Sequence, residues 1–389
     1  MIGRYFDYNA TTPLREEVAS TMIENIMLFG NPSSTHSFGQ LAKLKMEEAR
    51  SHVATLINAE ESDIFFTSGG TESINTALKG YFFSKDKRPF HIITSKIEHA
   101  ATLEVCRYLS TLGAEITYLP VDTNGFIAIE DLKNAIQENT ALVSIMFANN
   151  EIGSIQPIQE MVRVVKNINS NIIFHVDAVQ VIGKIQIDVR DLGVDALSMA
   201  AHKIYGPKGT GALYLKNGER KLDQLLHGGG QEKGFRGGTE NLLAIIGFGK
   251  ACEMAKEELE QNANKIIALR SYFLDKLENS IEHYEINGPV LGEDLLQNTI
   301  NLSFLNIRAE ALAVLLSQTY GIAVSIGSAC SADKANLSHV LLALGLSEDR
   351  IKSSIRISFG NYTDYKDIDY FMESLNASVN RLRSMLPVG

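Results

Sequence analysis

The chain has no tryptophan, only three cysteines and only eight prolines in 389 residues. Cys106, Cys252 and Cys330 lie far apart and none forms a C-x-x-C. That argues against a disulfide framework or a cysteine-built metal centre, so no metal site is expected and a reducing cytoplasm fits best. No apolar run approaches the roughly 20 residues that span a bilayer, so no membrane association is expected. The N-terminus "MIGRYFDYNATTPLREE" lacks a basic segment followed by an apolar one, so no export signal is expected either. Basic residues number 36 against 46 acidic ones, a formal charge of −10, and no long basic run occurs. Direct binding of nucleic acid backbones is therefore not expected.

What is present is ordinary for a water-soluble globular protein: 45% hydrophobic and 21% charged residues. The length suits two domains, or one large domain with a smaller one appended. Short β-rich runs alternate with helical patterns through the middle of the chain. "DIFFTS" (63–68) leads through Gly-Gly into "TESINTALKGYFF", "HIITS" (91–95) precedes "HAATLEVCRYLSTLG", and "ALVSIMFANN" (141–150) precedes "IQEMVRVVKNIN". "NIIFHVDAVQ" (171–180) follows. These runs lack period-two alternation, as expected for parallel strands covered by helices on both faces. The expected fold class is α/β: a large domain with a mostly parallel sheet flanked by helices, plus a smaller α+β domain. "GFGKACEMAKEELEQNANKIIALRSYFLDKLENS" reads as one long charged amphipathic helix bridging the two. Expected boundaries are 15–257 for the large domain, and 1–14 with 258–389 for the smaller one.

Four stretches place polar residues where a buried strand ends, and in doubly wound sheets ligands bind outside those ends. "TSGGTES" (67–73) offers Gly69, Gly70 and Thr71 at a helix start, where backbone N–H groups can cradle a phosphate. A Gly-Gly turn taken alone more often serves chain reversal. The stretch is neither a Walker A loop nor a G-x-G-x-x-G. "FHVDAVQ" (174–180) ends a hydrophobic strand in Asp177, which needs a cationic partner or several hydrogen bonds to stay charged, and a protonated pyridine nitrogen would be such a partner. A plain helix-capping role is the alternative. "SMAAHKIYGPKGTGALYL" (198–215) sets His202 and Lys203 at another strand end; a lysine so placed is paired or made nucleophilic, and nucleophilic lysines form Schiff bases with aldehydes. Lys208, in the looser turn, is the better surface lysine. Phosphate cradle, strand-end aspartate and Schiff-base lysine together describe a pyridoxal 5'-phosphate site, each anchoring a different part of one cofactor. The fourth stretch, "SIGSACSADKANLSHV" (325–340), surrounds Cys330 with small and polar residues, unlike a packed structural thiol.

These stretches, with "YFDYNATTPL", "FGNPSSTHSFG", "EHAA", "ANNEIGSIQPI", "HGGGQEKGFRGGTEN", "SHVLLALG" and "IRISFG", resemble the class V, fold-type I pyridoxal phosphate enzymes. Within them the chain is similar to the NifS/IscS-type cysteine desulfurases, nearly end to end. The resemblance implies that Lys203 holds the cofactor covalently, Asp177 pairs with its ring nitrogen, and His99 stacks on the ring and moves protons near the substrate sulfur. It implies that Gln180 hydrogen-bonds the phenolic oxygen with Asn150 close by. Gly70, Thr71 and His202 would hold the phosphate, joined by Thr239 from the second subunit of a homodimer. Arg356, with Asn150 and Asn31, would bind the carboxylate of L-cysteine. Cys330, on a mobile loop of about 325–338, would take the sulfur as a persulfide and pass it to an acceptor protein, for iron–sulfur assembly or thiolation, leaving L-alanine. Cys106 and Cys252 fall on helical patterns and are assigned to packing. The alternative is a selenocysteine lyase or another class V β-lyase or aminotransferase. Two departures stand out: Ala200 where the family often has serine, and Leu337 where it often has proline.

Overall fold

The computed structural model describes residues 4–84, 90–218, 222–290, 292, 294–326 and 337–385. Seven strands make one sheet: β1 (Ile64–Thr67), β2 (Phe90–Ser95), β3 (Ala114–Leu119), β4 (Thr140–Met146), β5 (Ile173–Asp177), β6 (Ala196–Ala200) and β7 (Gly211–Leu215). Their order across the sheet is β1-β7-β6-β5-β4-β2-β3. The pairs from β6 through β5, β4 and β2 to β3 are parallel, and only β7 runs against its two neighbours. Every residue of β1, β2, β6 and β7 is buried, which is why these runs show no alternation of apolar and solvent-facing positions.

Two apolar layers cover the faces. On one side Ile93, Val143, Ile145, Phe174, Val176 and Met199 pack with Val53, Met161, Val165 and Phe248 from helices Ser37–Leu56, Ile158–Ile168 and Leu242–Glu257. On the other, Ile92, Leu142, Ala196 and Leu213 pack with Ile74, Leu78, Val105 and Leu109 from helices Gly70–Phe83 and Ala100–Thr111. Cys106 and Cys252 sit inside these layers, fully buried. Burial pushes the Cys106 thiol up to about 12 and Cys252 well above the ordinary value, so neither ionises near neutrality.

A second, antiparallel sheet has the order β10-β11-β9-β8, built from β8 (Tyr284–Ile286), β9 (Thr299–Phe304), β10 (Ser325–Ile326) and β11 (Ser354–Ser358). Helices Leu259–Ser280, Ala309–Tyr320 and Tyr365–Ser384 cover it through Phe273, Leu312, Leu316, Phe371 and Leu375. The N-terminal segment joins this unit, since Tyr5 bridges Ala323 and Asp7 bridges Ser358. This mixed α/β architecture is the one expected from the sequence: a large, mostly parallel sheet flanked by helices, with a smaller α+β unit beside it.

The single long bridging helix read from the sequence is two helices, Leu242–Glu257 and Leu259–Ser280, separated at Glu258. The break has a partner. Both carboxylate oxygens of Glu258 accept from Arg15, at 2.6 and 2.7 Å, and the Asn262 side chain adds a third bond. A bidentate charge-assisted pair of this kind holds the chain at a fixed angle that an amphipathic pattern alone does not encode.

Candidate active site

The parallel strands deliver their polar residues to one end of the large sheet. After β1 the helix Gly70–Phe83 begins, with Gly69 as its cap; after β2 comes His99, after β4 Asn150, at the end of β5 Asp177 and Gln180, and after β6 His202 and Lys203. Gly70, Thr71, His99, Asn150, Asp177, Gln180, Ala200, His202 and Lys203 all line one cavity of about 270 Å³.

Each side chain has a local reason for its pose. His99 caps helix Ala100–Thr111, its Nδ1 accepting from the Ala101 N–H at 3.1 Å. The residue also lines the cavity. The surrounding protein lowers its pKa, and Lys203 and His339 add to that lowering while Asp177 opposes it. Asp177 is buried, and Oδ1 accepts from the Val179 N–H at 3.0 Å. Burial raises its pKa; His99, that backbone bond and Lys203 pull the other way. His202 is held by Thr11, Nδ1 to Oγ1 at 3.1 Å, and burial next to Lys203 and Lys208 takes its pKa down to about 4. A neutral imidazole therefore faces the cavity near neutral pH. Lys203 Nζ donates to the carbonyls of Asn9 and Ala10, the latter at 2.8 Å.

Arg356 borders this space from the second sheet. Its Nη1 donates to the Asn150 carbonyl at 3.1 Å and its Nη2 to Asp7 at 2.7 Å, while the buried Nε has no partner among the described residues. The flanks of the Cys330 segment reach the same place. Ser325 is the register partner of Arg356. On the far side Ser338 donates to Glu151 at 2.6 Å, and His339 Nε2 lies 2.9 Å from the Glu98 carbonyl. Cys330 itself, with 327–336, lies outside the described residues.

Two expected residues are elsewhere. Thr239 lines a separate pocket with Ser68, Thr210 and Arg236, and Asn31 is exposed, with its Oδ1 accepting from the Ser33 N–H at 2.9 Å. Within a single chain neither meets the cavity. Residues that sequence reasoning passed over include Asn9 and Asp7, although both stand in "YFDYNATTPL". The Asn9 side chain donates to Thr299 at 2.8 Å and to the Asn150 carbonyl, while its carbonyl accepts from both Gln180 and Lys203. Carbonyl contacts of this kind have no side-chain signature. Asp7 did have one, as a carboxylate beside an otherwise apolar strand-like run.

The donor set fits pyridoxal 5'-phosphate. A methyl group at Gly70 would stand 2.6 Å from Val179 Cγ2, so only glycine leaves the helix start open to a phosphate. Asp177 is a buried carboxylate whose raised pKa a cationic ring nitrogen would offset, and Lys203 places an amine in the same cavity. Among the described residues no group of three or more His, Cys, Asp or Glu could hold a metal ion.

The aminotransferase class-V family model matches residues 4–371. A cysteine desulfurase IscS from Dictyoglomus turgidum is 47% identical over 384 residues, spanning 98% of this chain and 96% of its own. Of solved structures, a NifS-like protein matches with TM-score 0.91 at 43% identity, covering 97% of this chain and 99% of its own. A protein called SspA, solved in complex with cysteine, matches with TM-score 0.81 at 36% identity, covering 93% of this chain and 100% of its own. With a family match over nearly the whole length and relatives at this identity, the chain belongs to the aminotransferase class-V family.

Proposed function

We propose that this protein is a cysteine desulfurase that uses pyridoxal 5'-phosphate, converts L-cysteine to L-alanine and passes the sulfur through a persulfide on Cys330 to a protein acceptor. One observation carries the reading. The cavity lined by Lys203, Asp177, His99 and Gly70 abuts Arg356, and both ends of the segment holding Cys330 are fastened there, at Ser325 and at Ser338.

Bound in the cavity, the cofactor supplies an electron sink for the substrate α-carbon. Gly70, Thr71 and His202 hold its phosphate, Asp177 keeps its ring nitrogen protonated, Gln180 donates to its phenolic oxygen and Lys203 anchors it covalently. Arg356 orients the substrate carboxylate, with Asn150 beside it. Lys203 would move the proton at the substrate α-carbon, and His99 the proton at the substrate sulfur. The Cys330 thiolate then attacks that sulfur. The carbon–sulfur bond breaks as the sulfur–sulfur bond forms, and the proton from the sulfur ends on the methyl group of alanine.

We place the working unit as a homodimer in the cytoplasm. Met27 and Phe29 are 82% and 78% exposed, and the Phe29 ring lies 5.2 Å from that of exposed Phe38, apolar surface of the kind a second subunit covers. Thr239, away from its own cavity, is then available to the partner's phosphate site, and Asn31 to its substrate site. No helix among the described residues is long and apolar enough to cross a membrane. The test is turnover of L-cysteine with a thiol acceptor, counting alanine and persulfide. Equal amounts of both are expected from the wild type and neither from Cys330→Ala. Wild-type alanine release by Cys330→Ala would overturn the reading, and turnover of selenocysteine alone would point to a lyase for that amino acid.

A further inference from the structure

Gln180 is a primary amide with one acceptor and two donor positions, so its chemistry toward a ligand depends on which end faces the cavity. The structure gives both ends partners. Nε2 donates to the Asn9 carbonyl at 3.1 Å, while Oε1 accepts from Lys184 Nζ at 3.3 Å. Lys184 follows Gln180 by four residues, and Val181 and Ile182 turn back on Ala178 while Lys184 and Ile185 turn back on Val181. These successive turns bring the Lys184 amine back to the Gln180 side chain. Gly183 allows it: φ is +67°, and a Cβ there would stand 2.8 Å from Ile204 Cγ2, just past Lys203.

The surroundings of Lys184 are unusual for a lysine. It lines a small cavity of about 50 Å³ on the far side of Lys203, with Tyr8, Arg15, Tyr205 and Asn298 among the other walls. The charges that act on it are cationic, Lys203 and Arg356, and with burial they bring its pKa down to about 7. Its hydrogen-bond partner is an amide oxygen, and among the described residues no carboxylate pairs with it. A lysine kept in such a place contributes nothing through an ion pair, so its position calls for another account.

We propose that Lys184 is a positioning residue for Gln180, fixing the amide so that its donor end is turned to the cavity and the second N–H is available to the phenolic oxygen of the bound cofactor. The proposal rests on the assignment of pyridoxal 5'-phosphate to this site. Without Lys184 only the Asn9 carbonyl holds the donor end, so the amide turns its oxygen inward more readily, and an acceptor would then face an oxygen that carries negative charge. Where Lys184 is protonated, loss of its charge acts in the same sense, because positive charge near Lys203 disfavours a proton on the nitrogen that joins lysine to cofactor.

The experiment compares wild-type, Lys184→Met and Lys184→Arg holoenzymes. It reads the pH dependence of the cofactor's visible absorbance, and kcat separately from KM for L-cysteine. In Lys184→Met the absorbance transition should move up by about one pH unit, the shift that a tenfold change in proton affinity produces. In Lys184→Arg it should stay at or below the wild-type value. In a Gln180→Ala background the effect of Lys184→Met should fall to less than half. An unchanged transition in Lys184→Met overturns the proposal, as does the full shift persisting without Gln180. If the Met variant does not fold, a raised transition in Lys184→Arg overturns it. A wild-type protein that takes up no cofactor and stays colourless would instead refute the assignment of the site.

Discussion

Arg356 and Asp7, 349 residues apart, form an ion pair of 2.7 Å at the border of the cavity. Both side chains are largely buried, at 10% and 20% exposure, so solvent screens the pair little. Asp7 takes one terminal nitrogen of the guanidinium and the Asn150 carbonyl the other, which fixes the plane in which Arg356 can meet a carboxylate.

Asp7→Asn keeps the shape and removes the charge. The loss of one charge-assisted bond is worth about 1.5 kcal/mol, which corresponds to roughly a tenfold rise in KM for L-cysteine. The turnover number should change much less, because Asp7 touches Arg356 and not the reacting atoms. Steady-state kinetics separates the two, and a lower KM would show that Asp7 competes with the substrate instead.

Asp177 is the residue whose effect should reverse with cofactor. Burial raises its pKa, so in the cofactor-free protein its ionised form opposes folding, and that opposition grows as pH rises above the ordinary 3.8 and is complete once pH passes the raised value. Asp177→Asn retains an oxygen for the Val179 N–H and carries no charge. The cofactor-free variant should therefore melt no lower than the wild type at neutral pH. The holoenzyme should lose a factor on the order of 10² in turnover, because no carboxylate remains to hold the ring nitrogen protonated. Thermal melts with and without cofactor, alongside an alanine assay, test both halves. Destabilisation of the cofactor-free form would count against a buried charge at this position.

Much of this site was legible because parallel strands buried on both faces end abruptly in polar residues. "FHVD" and "SMAAHK" announce Asp177 and Lys203 in that way, and the structure brings them to one cavity with Gly70 and His99. What was not legible depends on contacts between distant segments. Asn9 serves the site through its backbone carbonyl, which any residue could supply. The break at Glu258 depends on Arg15, 243 residues away, and helical periodicity continues across it unchanged. Thr239 and Asn31 were placed by resemblance, and a single chain leaves both outside its own cavity.

Glu98 gives a pH dependence with a defined sign. It is fully buried beside His99, and Oε1 accepts from Ser95 at 2.7 Å and from the Met146 N–H at 2.9 Å, while Oε2 has no partner among the described residues. Burial raises its pKa from 4.5 to about 8, so at neutral pH the carboxyl is protonated in the folded state and ionised in the unfolded one. The folded protein then holds the extra proton. The stability that Glu98 contributes is full below pH 4.5 and is lost progressively as pH rises to about 8. Glu98→Gln, which stays neutral throughout, should flatten that part of the curve of melting temperature against pH. Parallel curves for the two proteins would show that Glu98 is already ionised in the fold.

Arg50 and Glu232 form the most deeply buried ion pair of the described residues, at 2% and 1% side-chain exposure. Two nitrogens of Arg50 meet the two oxygens of Glu232 at 2.9 and 2.8 Å, and Glu232 also accepts from the Phe66 N–H of β1 at 2.7 Å. The pair ties the segment carrying Arg236 and Thr239 to the strand that leads into Gly69 and Gly70. It does so although Glu232 sits at φ +46°, a conformation that costs an ordinary residue about 1 kcal/mol. Glu232→Gln leaves the guanidinium buried with only Glu47 as a charged partner, and stability should fall by about 3 kcal/mol. Replacing both, as Arg50→Met with Glu232→Leu, removes the stranded charge together with its partner, and most of that loss should return. Denaturant melts of the two variants decide the matter: if the double variant is no more stable than Glu232→Gln, the pair stabilises through its hydrogen bonds to Ile64 and Phe66 rather than by offsetting its own buried charge.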